Sequence, residues 1–254
     1  MLVLQSIFVW LACTVAVLIW LPLLALVRLF DRDAAHYRTG RFFRLIGVLI
    51  CKVNPAWKLT ISGVKINNPR NPFIVVSNHQ SFADIPLISN LPWEMKWVAK
   101  IELFRAPIFG WMLKLAGDIP VDRKNKQSRA DVLPKAAFYL KKHCSVMFFP
   151  EGTRSPDSRV HKFADGAFRL AIEHQLPILP LAVDGSSNCL PKHSIKFGRA
   201  DNIRLKVLTP IETKGLTEKD ATDLRDQVRH LIMSQIAEWR KVSVSEVDGL
   251  IATP

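Results

Sequence analysis

The sequence has few cysteines, and none of them stands in a pattern that binds metal or builds a disulfide framework. The four cysteines are scattered over 254 residues with no C-x-x-C pair: Cys13, Cys51, Cys144 and Cys189. This spacing argues against a zinc site and against a disulfide scaffold, so no bound metal is expected. Unpaired cysteines also favour a reducing compartment.

Acidic residues are scarce in comparison with basic ones. The chain has 22 Asp and Glu against 35 Lys and Arg, a formal net charge of +13. Such an excess calls for an anionic partner, either nucleic acid, an acidic membrane surface or a phosphorylated substrate. The sequence lacks a long basic tail, zinc spacing and a basic-aromatic RNA-binding signature, so no nucleic-acid partner is expected.

Charged residues are absent from Met1 to Val27, where most side chains are apolar. As a helix this stretch is about 39 Å long, enough to cross the ~30 Å hydrocarbon layer of a membrane with some tilt. It has no basic n-region and no small-x-small cleavage site, which argues against a cleaved signal peptide. We therefore predict attachment to an anionic phospholipid membrane, the inner or cytoplasmic membrane; a buried helix of a soluble protein is the alternative.

The residues that follow set the orientation and the domain division. Basic residues dominate from Arg28 to Lys58, which predicts that everything after Val27 lies on the cytoplasmic side. Arg38 to Val53 reads as a basic amphipathic helix in the headgroup region. Because Pro22 permits a kink, a hairpin in one leaflet competes with a true span. Residues 1–54 are thus predicted to be membrane-attached helices, and residues 55–254 a separate catalytic domain.

Past Pro55 short strand-like runs alternate with amphipathic segments. This alternation predicts an α/β fold with a mixed, largely parallel sheet flanked by helices. The predicted strands are Trp57–Ser62, Phe73–Ser77, Lys96–Ala99, Asp118–Val121, Ser145–Phe149, Ile178–Val183 and Ile203–Leu208. The predicted helices are Asp84–Ser89, a segment within Ile101–Leu115, Ser128–Lys142, Phe163–His174 and Thr217–Trp239.

A histidine and an aspartate stand five residues apart directly after one predicted strand, in the run Asn78-His79-Gln80-Ser81-Phe82-Ala83-Asp84. At helical pitch the two side chains would miss each other, so they meet only if a turn intervenes. We predict that Asp84 caps the following helix and keeps one oxygen for the imidazole of His79. The imidazole could then accept a proton from a substrate hydroxyl. A capped helix behind a loop histidine is the plain alternative.

A second motif, Phe148-Phe149-Pro150-Glu151-Gly152-Thr153-Arg154-Ser155, also follows a strand-like run. Its glycine-bearing turn presents Arg154, whose planar guanidinium suits a phosphate group. The backbone N–H groups of the turn, around Gly152 and Thr153, could add donors for the same anion. Alone, this segment is equally compatible with an ordinary surface turn.

The two motifs, in this order, resemble those of the glycerolipid acyltransferase family, and within it the 1-acyl-sn-glycerol-3-phosphate acyltransferases. That family has an N-H-x4-D block followed by an F-P-E-G-T-R-S block, and both stand here without substitution. Weaker blocks at Gly117–Arg123 and Leu176–Leu181 extend the resemblance over about residues 57 to 212. It implies transfer of a fatty acyl group from acyl-CoA or acyl-carrier protein to the sn-2 hydroxyl of lysophosphatidic acid, giving phosphatidic acid, without a cofactor.

The resemblance also implies roles for individual residues. His79 is the general base, Asp84 stabilises the imidazolium, and Arg154 holds the glycerol phosphate. By position alone, Lys100 just past a predicted strand and Arg123 at the end of the 118–123 turn could assist Arg154. An exposed lysine, and an ion pair of Arg123 with Asp122 or Glu151, are the alternatives. Asn78 and Glu151 are predicted to support the site. Ser81 is not surrounded by a G-x-S-x-G elbow, which weakens a hydrolase reading.

Two rival functions stay open from the sequence. The same chemistry suits another acceptor, such as a different lysophospholipid, a lyso-ornithine-type lipid or a polyol phosphate. A non-catalytic peripheral protein that binds anionic lipid would need the basic surface but has no use for His79 and Asp84 in this arrangement.

Overall fold

The computed structural model describes residues 2–54, 56–190, 194, 196–198 and 200–251. Within them the seven strands are β1 Trp57–Gly63, β2 Ile74–Ser77, β3 Met95–Lys100, β4 Ile119–Val121, β5 Ser145–Phe148, β6 Ile178–Asp184 and β7 Ala200–Val207. The α-helices are α1 Leu2–Phe30, α2 Tyr37–Val53, α3 Asp84–Ile88, α4 Ile101–Arg105, α5 Phe109–Ala116, α6 Lys126–Lys141, α7 Gly166–Glu173, α8 Ala221–Arg240 and α9 Val244–Val247. Short 3-10 helices cover Ser186–Asn188 and Glu218–Asp220.

Contacts between residues divide the chain into two compact units. The first comprises Met1–Pro55, Asn67–Pro72 and Ile85–Met147, and the second comprises Ala56–Ile66, Phe73–Asp84 and Phe148–Pro254. The division predicted from the sequence, residues 1–54 and 55–254, concerns membrane attachment rather than internal contacts and stays a prediction. Pro55, the first residue of the predicted catalytic domain, lies outside the described residues.

The strands pair mostly in parallel within each unit. In the first unit β3 pairs in parallel with both β4 and β5. In the second unit β2 pairs in parallel with β6, β1 pairs in parallel with β7, and the β6–β7 pair is antiparallel. All residues of β2 and β6 are buried, with α7 packed on β2 and α8 on β6. The predicted fold class, a mixed and largely parallel sheet with flanking helices, is confirmed.

Each predicted strand occurs in the structure with a shift of a few residues at its ends. The segment within Ile101–Leu115 forms two helices, α4 and α5, with Pro107 between them. Ala106 is extended, as expected of a residue before proline, and Ile108 has a φ of 62°. Thr217 and Asp220 form the predicted reciprocal capping box, but it opens the short 3-10 helix Glu218–Asp220, and α8 itself begins at Ala221.

The apolar N-terminal helix is continuous through Pro22. Within the described part of the chain it is the one helix long and apolar enough to cross a membrane, with a mean hydropathy of 2.5 over its most apolar stretch. Of that stretch 11% is buried, and the helix packs against α2 and α5 along one side. Trp20 stacks on Phe42 of α2 with 4.9 Å between ring centroids.

The prediction that the basic residues of α2 lie in the headgroup region is wrong for Arg41 and Arg44. Arg44 does not face headgroups but is buried, where its guanidinium pairs with Asp118 and with Glu94. Arg41, one turn earlier on the same face, donates to the carbonyl oxygen of Leu91 at 2.8 Å. Because a buried charge is costly unless it is paired, this face of α2 is fixed to the segments that lead into β3 and β4 of its own unit.

Candidate active site

A turn after β2 brings the histidine and the aspartate of the first motif together, as the spacing predicts. The Asp84 N–H donates to the carbonyl oxygen of Ser81 at 3.1 Å and closes the turn. His79 Nδ1 then lies 2.7 Å from Asp84 Oδ2. A carboxylate at Nδ1 favours a proton on that nitrogen, which leaves Nε2 as the acceptor of the neutral imidazole.

Asp84 does not cap helix α3 in the predicted way. The helix begins at Asp84 itself, and the carboxylate binds the loop in front of it. The same Oδ2 that contacts the imidazole accepts the backbone N–H groups of Gln80 at 2.7 Å and Ser81 at 2.9 Å. Oδ1 is buried and has no hydrogen-bond partner among the described residues. Three donors on one oxygen therefore fix the carboxylate and, through it, the imidazole.

The second motif holds the backbone of His79. Its N–H donates to Glu151 Oε1 and its carbonyl oxygen accepts from the Ser155 N–H, each at 2.7 Å. The imidazole stacks on the ring of Phe149 with 4.0 Å between centroids and 18° between planes. The side chain is 9% exposed, and within the described part of the chain Nε2 has no hydrogen-bond partner. The ring is thus held at Nδ1 by Asp84 and on one face by Phe149, and Nε2 is the nitrogen left to meet a substrate.

Glu151 is half-buried, and its carboxylate joins two backbone segments. One carboxylate oxygen accepts the His79 N–H and the other accepts the His161 N–H at 3.1 Å. Burial raises the pKa of Glu151 to about 7, although both N–H groups favour the carboxylate form. Glu151, predicted to support the site, thus holds the backbone of the loop that carries His79.

Asn78 joins the end of β2 to β6. Its amide Nδ2 donates to the Val183 carbonyl oxygen at 2.8 Å, and its Oδ1 accepts the Val183 N–H at 2.9 Å. The two hydrogen bonds satisfy the polar atoms of the buried Asn78 amide, and they fix the position at which the chain leaves β2 relative to β6. Asn78 therefore acts on the position of His79 through the backbone.

Arg154 lies against the loop of the first motif. Gly152 has a φ of 70°, and its N–H donates to the Phe149 carbonyl oxygen at 3.0 Å to close the preceding turn. The Arg154 guanidinium lies over the ring of Phe82, with 4.0 Å between Cζ and the ring centroid. Because the Gly152 N–H is engaged in the turn and Thr153 is exposed at its tip, contacts of these two residues with a phosphate stay predictions.

Two aromatic residues of the site were missed by sequence reasoning. Phe149 supports the imidazole and Phe82 supports the guanidinium, and Phe82 keeps 42% of its surface exposed. Their position inside the two motifs was the available signal. An aromatic residue in such a place is also compatible with simple burial, so the stacking contacts could not be read from the pattern.

Lys100 and Arg123 lie in the first unit, whereas His79, Asp84 and Arg154 lie in the second. Lys100 is exposed and pairs with Glu102 at 3.0 Å. Arg123 is half-buried; burial lowers its pKa, and Glu102 opposes that change. The predicted contact of either residue with the phosphate held by Arg154 stays a prediction.

The Ser81 hydroxyl is engaged with the backbone. It donates to the Leu190 carbonyl oxygen at 2.9 Å and accepts the Ala83 N–H at 3.2 Å. A hydroxyl used in this way shapes the loop between His79 and Asp84, and no base among the described residues contacts it to make it a nucleophile.

The chain is similar in sequence to several proteins named 1-acyl-sn-glycerol-3-phosphate acyltransferase. The chloroplast 1-acyl-sn-glycerol-3-phosphate acyltransferase of Arabidopsis thaliana is 34% identical over 188 residues, which are 73% of this chain and 51% of the relative. The mouse 1-acyl-sn-glycerol-3-phosphate acyltransferase alpha is 34% identical over 76% of this chain and 67% of the relative. The chain thus spans about half the length of the plant relative and about two thirds of the mouse one.

A solved structure and a family model extend the comparison. The crystal structure of the 1-acyl-sn-glycerophosphate acyltransferase from Thermotoga maritima superposes with a TM-score of 0.78 over 94% of this chain and 95% of that one. At 24% identity this likeness shows the fold. The family model described as Acyltransferase matches residues 58–184, half of the chain, and contains both motifs. The chain therefore belongs to the acyltransferase family.

Proposed function

We propose that this protein is a membrane-bound O-acyltransferase that acylates the sn-2 hydroxyl of 1-acylglycerol 3-phosphate and produces phosphatidic acid. The names of its relatives support this acceptor. The observation that carries the chemistry is the His79–Asp84 pair, 2.7 Å apart, with Nε2 unengaged among the described residues. A thioester, either acyl-CoA or acyl-carrier protein, is the proposed donor.

The reaction follows from the arrangement of the imidazole. The acceptor hydroxyl gives its proton to His79 Nε2 while its oxygen forms a bond to the thioester carbonyl carbon. Asp84 stabilises the imidazolium that results, as the carboxylate of a catalytic triad does. The C–S bond then breaks, and the leaving thiolate takes the proton from the imidazolium. Since the acceptor supplies the nucleophile, no enzyme side chain is acylated.

Arg154 is proposed to place the acceptor. Its guanidinium can bind a phosphate through two parallel hydrogen bonds, and the Phe82 ring beneath it restricts its plane. Phe82 and Asp84 belong to the same loop as His79, so an acceptor held by Arg154 is held beside the base. This favours a phosphate monoester over a lyso-lipid without phosphate, and the other acceptors left open by the sequence are tested in the same assay.

Transfer of a radiolabelled acyl group tests the proposal directly. The full-length protein in detergent micelles is given acyl-CoA or acyl-carrier protein with lysophosphatidic acid, other lysophospholipids, a lyso-ornithine lipid or glycerol phosphate. We expect phosphatidic acid as the main product. A preference for an acceptor without a phosphate monoester would contradict the proposed substrate, and binding of anionic lipid without any transfer would favour the non-catalytic reading.

Replacing Arg154 with alanine is expected to raise the acceptor KM by about tenfold or more. A hydrogen bond to a charged group contributes about 1.5–3 kcal/mol, and only the acceptor loses it. Initial rates are measured against both substrates. Arg169→Ala, an exposed arginine of the same unit that pairs with Glu218, is the matched control and should change neither constant. Equal defects toward donor and acceptor in Arg154→Ala would indicate a structural role for the turn.

Membrane attachment through α1, with the catalytic residues on the cytoplasmic side, is the second part of the proposal. It is supported by the length and composition of this helix, and by the apolar side chains that stay exposed along it, among them Leu11 and Leu18. These two lie on one face of the helix, seven residues apart. A charged residue near the centre of such a helix costs about 2.5–3.5 kcal/mol on insertion scales.

Leu11→Glu/Leu18→Glu is therefore expected to weaken attachment strongly, while the wild-type protein resists extraction by alkaline carbonate and by high salt. Sedimentation of extracted membranes measures the bound fraction. Leu231→Glu/Val242→Glu changes two partly exposed apolar residues of the second unit and should leave attachment unchanged. Release of the wild-type protein by carbonate would contradict insertion. A separate experiment distinguishes a helix α1 that crosses the membrane from a hairpin in one leaflet. A cysteine is placed at position 2, and its labelling is measured from either side of sealed vesicles.

A further inference from the structure

A cavity of about 550 Å³ lies at the turn between α1 and α2, within the first unit. Its walls carry three arginines and two aspartates, and it uses none of the residues assigned to acyl transfer. The charged lining residues are Asp31, Arg32, Asp33, Arg38 and Arg70. What this cavity can bind depends on which of these charges are already compensated.

Both aspartates are already engaged, Asp31 by Thr39 and Asp33 by its own turn and by Arg70. Asp31 Oδ2 accepts the Thr39 N–H at 2.8 Å and the Thr39 hydroxyl at 2.6 Å. Asp33 Oδ1 accepts the Ala35 N–H at 2.9 Å, and its Oδ2 pairs with Arg70. The two carboxylates therefore hold the chain in place and have little capacity left for a ligand.

Two of the three arginines remain available. Arg70 is fixed by Asp33 and by the ring of Tyr37, 4.3 Å from its Cζ. Arg32 and Arg38 are exposed and have no acidic partner among the described residues. The cavity thus has a rigid wall and two uncompensated guanidinium groups, which is a suitable arrangement for an anion with several oxygen acceptors.

The cavity continues into an apolar surface. Phe30 lines it and is 74% exposed, and Leu29 beside it is 79% exposed. These residues end the apolar helix α1, so the cavity stands where a membrane-inserted α1 would reach the headgroup level. A free phosphate would use the arginines alone, whereas a phospholipid would also cover this apolar surface.

We propose that this cavity is a binding site for the headgroup of an anionic phospholipid. Arg32 and Arg38 bind the phosphate, and the acyl chains lie along the exposed end of α1. The proposal rests on the membrane attachment proposed above and not on acyl transfer. A lipid bound here would fix the depth of α1 in the bilayer independently of the substrate at Arg154.

Binding is measured by calorimetry on the full-length protein in non-ionic detergent micelles, with dihexanoyl-phosphatidylglycerol as the probe. Arg32→Gln/Arg38→Gln is expected to weaken binding at least about tenfold, because both charge-assisted contacts are lost. Lys52→Gln/Lys114→Gln removes the same charge from exposed positions of the same unit outside the cavity and should change binding less than about twofold. Arg32→Lys/Arg38→Lys should retain most of the affinity.

Further calorimetric titrations distinguish binding of an anionic phospholipid from binding of other ligands. Dihexanoyl-phosphatidylcholine and inorganic phosphate should bind at least about tenfold more weakly than the anionic lipid. Arg154→Ala should leave this binding unchanged, which distinguishes the cavity from the proposed acceptor site. An equal loss in the two glutamine variants would overturn the proposal in favour of unspecific charge attraction. Inorganic phosphate binding as tightly as the lipid would overturn it in favour of a free-phosphate site.

Discussion

His79→Ala is expected to reduce the rate of acyl transfer by about 10²–10⁴-fold, the usual contribution of general base catalysis. Nε2 of His79 is the one imidazole nitrogen of this loop that can accept the acceptor's proton, and Asp84 holds it in the required tautomer. The loss should appear in kcat for every acceptor, because the proton must leave the hydroxyl whichever lipid carries it. Single-turnover rates with saturating acyl-CoA and lysophosphatidic acid measure it.

The control for this variant is another histidine of the same unit. His230 is exposed on α8, and His230→Ala should retain wild-type rates. Since alanine also removes the stacking partner of Phe149, His79→Gln provides a variant that fills more of the space without a base near neutral pH. If either His79 variant kept a substantial fraction of the wild-type rate while folding normally, His79 would not be the general base.

The sequence predicts the His79–Asp84 contact because the relation is local. Five residues separate the two, helical geometry forbids their contact, and the residues between them form a turn. The strands are predicted for a similar reason, since their apolar runs are continuous where both faces of the sheet are covered, as in β2 and β6. Local patterns of this kind need no knowledge of distant parts of the chain.

The contacts that the sequence does not predict join distant segments. Glu151 accepts the His79 N–H across 72 positions, and Arg44 pairs with Asp118 across 74. The sequence of α2 has the same basic stripe whether its arginines face lipid headgroups or buried carboxylates. The helix sequence alone therefore could not predict that Arg44 pairs with Asp118 and Glu94. Likewise, residue types do not fix the backbone conformation of the loop before α3. That conformation is the reason why Asp84 Oδ2 accepts the N–H groups of Gln80 and Ser81 and does not cap the helix.

Asp84→Asn is expected to lower kcat by roughly 10²-fold with little change in the acceptor KM. The N–H groups of Gln80 and Ser81 require an oxygen at the Oδ2 position, so the amide oxygen takes that place and still accepts from His79 Nδ1. The tautomer is retained, but a neutral amide cannot stabilise the imidazolium. The amide nitrogen then occupies the buried Oδ1 position without a partner among the described residues, at a cost of about 1–3 kcal/mol of stability.

The double variant separates this electrostatic role from a purely structural one. In a His79→Ala background there is no imidazolium to stabilise, so Asp84→Asn should reduce the residual rate little further, as expected of residues that act as a unit. Its effect on the thermal unfolding midpoint should persist in both backgrounds, because the buried amide remains unsatisfied in each. If the rate losses of the two substitutions multiplied instead, Asp84 would act on the loop that it shares with Gln80 and Ser81 and not through the imidazole.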